Sequence, residues 1–143
     1  MPKKNVLVVL GGNSRERYIS LESGRACISA LKKNGFKVNV FDPKFLSLDS
    51  INKDKPNVIF NALHGRDGED GKVQSFFEYF RIPYTHSGVL SSMISMNKYI
   101  SKQLFIKNNI RTPKYFFLNR KEYIGVNLKK KNKKTQIKLP SCN

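Results

Sequence analysis

Five consecutive apolar residues, Val6 to Leu10, run directly into Gly11-Gly12. A short valine-rich run closed by glycines suits a parallel strand buried on both faces, since only a strand covered on both sides is continuously apolar. It falls well short of the roughly 18 to 20 residues that cross a bilayer, and following Met1-Pro2-Lys3-Lys4 it is too short for a signal peptide. Helix and strand signals then alternate. Ile19, Ala26, Cys27, Ala30 and Leu31 recur near helical spacing, with Gly35 as a stop after Lys32-Lys33-Asn34. Phe36, Val38, Val40 and Phe41 predict a second strand ended by Asp42-Pro43, and Val58-Ile59-Phe60 a third. Val73, Phe76, Phe77 and Phe80 mark the next helix, and Ile82-Pro83-Tyr84 is a candidate fourth strand with Pro83 at its start or edge. Val89 to Met96 and Tyr99 to Ile106 predict two further helices.

This order predicts an α/β fold, an open and mostly parallel sheet with helices on both faces. Ligands bind such sheets beyond the carboxyl ends of the strands, so Gly11 to Arg17 and Leu63 to Lys72 are expected on one functional edge.

A formal charge of +17 raises nucleic-acid binding, but its distribution argues against it. Residues 1–80 hold thirteen Lys/Arg against nine Asp/Glu, whereas residues 81–143 hold fourteen against Glu122 alone. Six of those lysines crowd into Lys129 to Lys138, which reads as a solvated linker or disordered tail. Arginine clusters and aromatic stacking platforms are missing. Cys27 and Cys142 lie far apart, without the histidine spacing of a zinc site, which fits a reducing cytoplasm.

Two loops carry the chemistry. In Gly11-Gly12-Asn13-Ser14-Arg15-Glu16-Arg17, paired glycines permit a tight reversal and a following helix N-terminus favours negative groups. The pattern is neither G-x-G-x-x-G nor a P-loop. Glu16 reads either as a surface ion-pair residue or as a ligand for an ammonium group. In Leu63-His64-Gly65-Arg66-Asp67-Gly68-Glu69-Asp70-Gly71, closely spaced glycines gather one histidine and three acids, as a plain polar turn or as a site where His64 meets a carboxylate. The acids do not match an EF-hand in loop length or spacing.

Taken in order, GGNSRERYISLESG, NALHGRDGEDG, PYTHSG and SMNKYISKQLF resemble the motifs of the D-alanine:D-alanine ligases, whose usual forms are GG-S-ER-VSL-SG, ALHG-GEDG, PYTGSG and MDK. The resemblance implies a preATP-grasp, Rossmann-like domain followed by an ATP-grasp region. It implies phosphorylation of one D-alanine by ATP, attack by the amine of a second, and a role in peptidoglycan precursor synthesis and cell shape. By the same resemblance Glu16 anchors the ammonium of the first D-alanine, His64 helps orient its carboxylate, and Lys98 faces the nucleotide phosphates. Ser20 matches the serine of the VSL element, as a helix cap or a ligand contact. ATP and magnesium are the implied cofactors, a homodimer the implied assembly, the cytoplasm the implied location; no membrane partner is expected.

Tyr18, His86 and Asn97 depart from the family pattern beside these positions. The expected division is 1–95 for the preATP-grasp substrate domain, 96–124 for a linking helix and first strand (Lys114 to Leu118) of a truncated ATP-grasp region, and 125–143 for the Lys-rich tail. No magnesium ligand set or glycine-rich flap is recognisable before Leu139-Pro140, so the chain reads as a fragment inactive alone. Two rivals stay open: a non-catalytic small-molecule module of the same fold, and an interaction protein with a basic tail.

Overall fold

The structure is a computed structural model that describes residues 4–117. Three strands, β1 (Asn5–Val9), β2 (Lys37–Phe41) and β3 (Val58–Asn61), form a parallel sheet in the order β2-β1-β3. The first strand is therefore central, with Val8 opposite Val40 on one side and Phe60 on the other. Helix α1 (Arg17–Lys33) joins β1 to β2, and a 3-10 turn (Leu48–Asn52) lies between β2 and β3. Helices α2 (Lys72–Tyr79), α3 (Val89–Met96) and α4 (Lys98–Lys107) follow.

Alternation along β1 explains why its apolar run is unbroken. Leu7 and Val9 join Phe41, Ile51, Ile59, Val73 and Phe77 on one face, while Val6, Val8 and Leu10 meet Leu21, Ile28 and Leu31 of α1 on the other. Both faces are dry, as the sequence pattern predicts. Phe77 is wholly buried in the first of these clusters, and full burial of such a side chain contributes about 1.5 to 3 kcal/mol. Ile51, equally buried, belongs to the 3-10 turn, which the sequence reading did not anticipate.

The candidate fourth strand is reduced to one parallel bridge between Ile59 and Tyr84. Ile59 donates to the Pro83 carbonyl at 2.8 Å and Thr85 donates back to the Ile59 carbonyl at 3.0 Å. Pro83 has no N–H with which to extend the ladder. Tyr84 is held instead by its side chain: its ring lies 5.2 Å from that of Phe77, and its hydroxyl donates to Glu78 at 2.7 Å. Burial, then the Glu78 carboxylate, push the Tyr84 phenol up to about 12.

The described residues divide inside α4 into two units, one ending at Ser101 and the other beginning at Lys102. In the second, Lys102 donates to Thr112 Oγ1 at 2.8 Å and to the Pro113 carbonyl at 3.0 Å. Residues 111–117 have no strand, contrary to the expectation for Lys114 to Leu118, of which Leu118 lies outside the described residues. An isolated strand without a ladder partner is not stable in water. The expected Lys-rich tail also lies outside the described residues. Among those residues no helix is long and apolar enough to cross a membrane.

Candidate functional site

Because β1 lies between β2 and β3, the loop that follows it is flanked by the carboxyl ends of both neighbours. On the β3 side two serines tie it down. Ser20 is completely buried; its hydroxyl accepts from the Gly11 amide at 2.8 Å and donates to the Ala62 carbonyl at 2.7 Å. Ser14 Oγ donates to the His64 carbonyl at 2.8 Å and accepts from the Glu16 amide at 3.1 Å. On the β2 side Arg17 forks onto Asp42, with Nη2 to Oδ2 at 2.7 Å and Nη1 to Oδ1 at 3.1 Å, while Nη1 also donates to the Gly12 carbonyl at 2.9 Å. Asp42 Oδ1 further accepts from the amides of Gly12 and Lys44, each at 3.0 Å. Partial burial pushes the Asp42 carboxyl up, but the hydrogen bonds from Arg17, Lys44 and Gly12 outweigh it and hold the group below its ordinary range.

Glu16 immediately precedes α1 and does not cap it with its side chain. The carboxylate is exposed, and among the described residues it makes no hydrogen bond or ion pair. It rests against Gly65, where φ is +70° and an added Cβ would collide with Glu16 Oε2. The left-handed backbone favours glycine here, and any side chain would also push the Glu16 carboxylate aside.

His64 stands beside them. Its Nε2 lies 3.1 Å from Ser23 Oγ, and that hydroxyl donates to the Ile19 carbonyl at 2.8 Å. Which of Nε2 and Ser23 Oγ donates in their contact follows from the ring tautomer. On the other side of the ring Nδ1 faces Glu69 Oε1 at 3.6 Å, which is an ion pair only when the ring is doubly protonated. Glu69 is fixed by its own loop, its amide donating to the Gly65 carbonyl at 2.9 Å.

Glu16, Gly65 and His64 thus converge, as the strand-edge argument predicts. Ser20 does not present its hydroxyl to a ligand: both its hydrogen-bonding functions serve the backbone, as a tie between strands rather than a helix cap. Lys98 is exposed at the first position of α4, and its Nζ has no hydrogen bond or ion pair among the described residues. A cleft of about 260 Å³ opens on the α2 side between the two loops, walled by Gly12, Asn13, Leu63, His64, Arg66 and Lys72 among others. Glu16 is not one of its walls, so this cleft and the open carboxylate are separate features of the same sheet edge.

Asp42, Ser14 and Ser23 escaped the sequence reading. From sequence Asp42 marks only the end of a strand; the signal for its role is that in a parallel sheet the end of β2 must lie beside the end of β1.

The arrangement defines a class by its fold: a parallel α/β domain whose strand edge carries an open carboxylate and a histidine over glycine loops. A sequence-family profile described as D-ala D-ala ligase N-terminus matches residues 41–87. The D-alanine–D-alanine ligase of Pelagibacter ubique is 49% identical over 140 residues, covering 98% of this chain and 43% of that protein. That of Parvibaculum lavamentivorans is 52% identical over 102 residues, 71% of this chain and 33% of its own length. Among solved structures, the D-alanine–D-alanine ligase of Bacillus anthracis superposes with a TM-score of 0.71 at 35% identity, covering 85% of this chain and 42% of that one. A second structure of that enzyme, complexed with ATP, gives a TM-score of 0.70. Sequence and fold together identify this chain with the N-terminal portion of the D-alanine–D-alanine ligase family. The chain spans less than half the length of these relatives.

Proposed function

We propose that this chain supplies the amino-acid-binding edge of an ATP-dependent D-alanine–D-alanine ligase acting in peptidoglycan precursor synthesis in the cytoplasm. The observation that carries this reading is the unpaired Glu16 carboxylate seated on Gly65 beside His64. Glu16 holds the ammonium of the first D-alanine by a charge-assisted hydrogen bond, which gives a small zwitterion most of its orientation because its own atoms bury little apolar area. His64, steadied by Ser23, orients the carboxylate that ATP phosphorylates. Lys98 faces the nucleotide phosphates, its exposure and open Nζ being consistent with that part. Two copies form the active assembly.

Among the described residues no group of three His, Cys, Asp or Glu is placed to hold a metal ion, so they do not fit the magnesium that the family resemblance implies. The domain accordingly contributes substrate capture and not phosphoryl transfer, and the purified chain is expected to release no ADP from ATP in the presence of D-alanine and magnesium.

Titration of the 143-residue chain with D-alanine, followed by amide NMR, tests the reading. Shifts confined to Glu16, Gly65 and His64 that vanish in Glu16→Gln are the expected result. Equal shifts in wild type and Glu16→Gln would sink it.

A further inference from the structure

Arg17 follows Glu16 directly, yet the structure turns its charge elsewhere. Adjacent positions at a helix start do not face each other, so an arginine pairs with the preceding glutamate only where its long side chain is free to fold back. Arg15, on the other flank of Glu16, makes no ion pair with it among the described residues. The Arg17 guanidinium is occupied on the far side of the loop by both oxygens of Asp42 and by the Gly12 carbonyl, with the Phe45 ring 5.4 Å from Cζ.

Three observations make this more than an ordinary surface ion pair. The pair is partly shielded, with side-chain exposures of 23% for Arg17 and 15% for Asp42, so salt screens it less than an exposed pair. Asp42 is oriented independently of Arg17, since the amides of Gly12 and Lys44 already fix its carboxylate. The backbone is also cleared for the pair: Gly11 has φ +83°, and a Cβ there would collide with the Asp42 carboxylate and Arg17 Nη1.

We propose that Asp42 is a positioning residue for ammonium binding: by engaging Arg17 in a two-point fork it keeps the guanidinium off Glu16 and leaves that carboxylate open to a small ammonium group. This rests on the reading of Glu16 as the ammonium anchor. Asp42 touches no substrate. Its effect is to remove an internal competitor for the site.

The test uses the 143-residue chain, with D-alanine as the probe and two NMR readouts, the carboxyl carbon of Glu16 without ligand and the D-alanine-induced shift at Gly65. In Asp42→Asn, the freed Arg17 should move the Glu16 carboxyl resonance and reduce the D-alanine response by about five-fold or more. In the double variant Arg17→Gln/Asp42→Asn, both readouts should return to within about two-fold of wild type, because the competitor is gone. A purely structural clamp predicts the opposite, a double variant no better than Asp42→Asn, and that result would overturn the proposal. A wild-type chain with no D-alanine response, but with a Glu16 resonance that moves in Asp42→Asn and returns in the double variant, would refute the ammonium reading while supporting the competition between Arg17 and Asp42. Should Asp42→Asn lose amide protection in β1, the wild-type guanidinium decides: hindered rotation of the Arg17 Nη groups with a through-space contact to Asp42 is expected, and a freely rotating group refutes the idea.

Discussion

The loop after β1 and the loop after β3 sit side by side at the same sheet edge but are held in opposite ways. Residues Gly11 to Glu16 are fastened from outside, by Ser20 toward β3 and by Arg17 and Asp42 toward β2. Residues Leu63 to Lys72 are fastened mainly from within and just beside: Asp70 accepts from the amides of Asp67 and Lys72, Lys72 pairs with Asp67 at 3.0 Å, and Asn61 and Gln74 both donate to the Gly68 carbonyl. The first loop therefore takes its shape from the assembled sheet, whereas the second carries most of its shape in one contiguous segment. A charged side chain can be presented unpaired in the first because other residues do the holding. In the second, the acids are largely engaged in holding the loop.

The contrast breaks most sharply at Ser20. Ser20→Ala strands the buried Gly11 amide and Ala62 carbonyl, just past the ends of β1 and β3, each costing about 1 to 3 kcal/mol, so a total loss of about 2 to 6 kcal/mol is expected. Urea denaturation followed by circular dichroism measures it; a loss under about 1 kcal/mol would show that the first loop has other anchors.

Gly65→Ala attacks the point where the loops touch. The left-handed backbone alone should cost about 1 to 2 kcal/mol, and the added methyl group must displace the Glu16 carboxylate. D-alanine-induced shifts should disappear together with the drop in denaturation midpoint. Retained shifts would mean that the ammonium group does not use Glu16 in this position.

Acid separates the two loops more gently. The Asp42 carboxyl is held below its ordinary range in the folded protein, so its contribution to stability is complete above the unfolded value of about 3.9 and is lost as pH falls through the folded value. The stability difference between wild type and Asp42→Asn should thus be constant from about pH 7 to 5 and narrow below about pH 4. A difference that narrows already between pH 7 and 5 would contradict the assignment.

The smallest effect is expected in the self-held loop. Gln74→Leu removes one of two donors to the Gly68 carbonyl, leaves Asn61 in place at 3.0 Å, and deletes a buried Oε1 that lacks a partner among the described residues. Stability should change by less than about 1 kcal/mol. A larger loss would show that the redundancy at Gly68 is only apparent.

The sequence by itself determined the elements and the edge. Val6 to Leu10 announced a strand buried on both sides, the spacing of Val73, Phe76 and Phe77 announced α2, and the glycines at Gly11-Gly12 and Gly65 marked the loops where a ligand group can approach. These are short-range signals, because a residue's neighbours at two, three and four positions reveal period and solvent exposure directly. The overestimated strand at Ile82-Pro83-Tyr84 and the unseen 3-10 turn at Leu48–Asn52 show the limit of that range, since pairing and packing partners decide both. Only the tertiary structure decided which groups meet: Arg17 with Asp42, Ser20 with Ala62, Glu16 with Gly65, His64 with Ser23. Each pair is brought together by the strand order β2-β1-β3, which sets the ends of two distant segments on either side of the first loop. Whether Glu16 is an ion-pair residue or an open carboxylate depends on where its neighbour Arg17 finds a partner, and that partner lies 25 positions further along the chain.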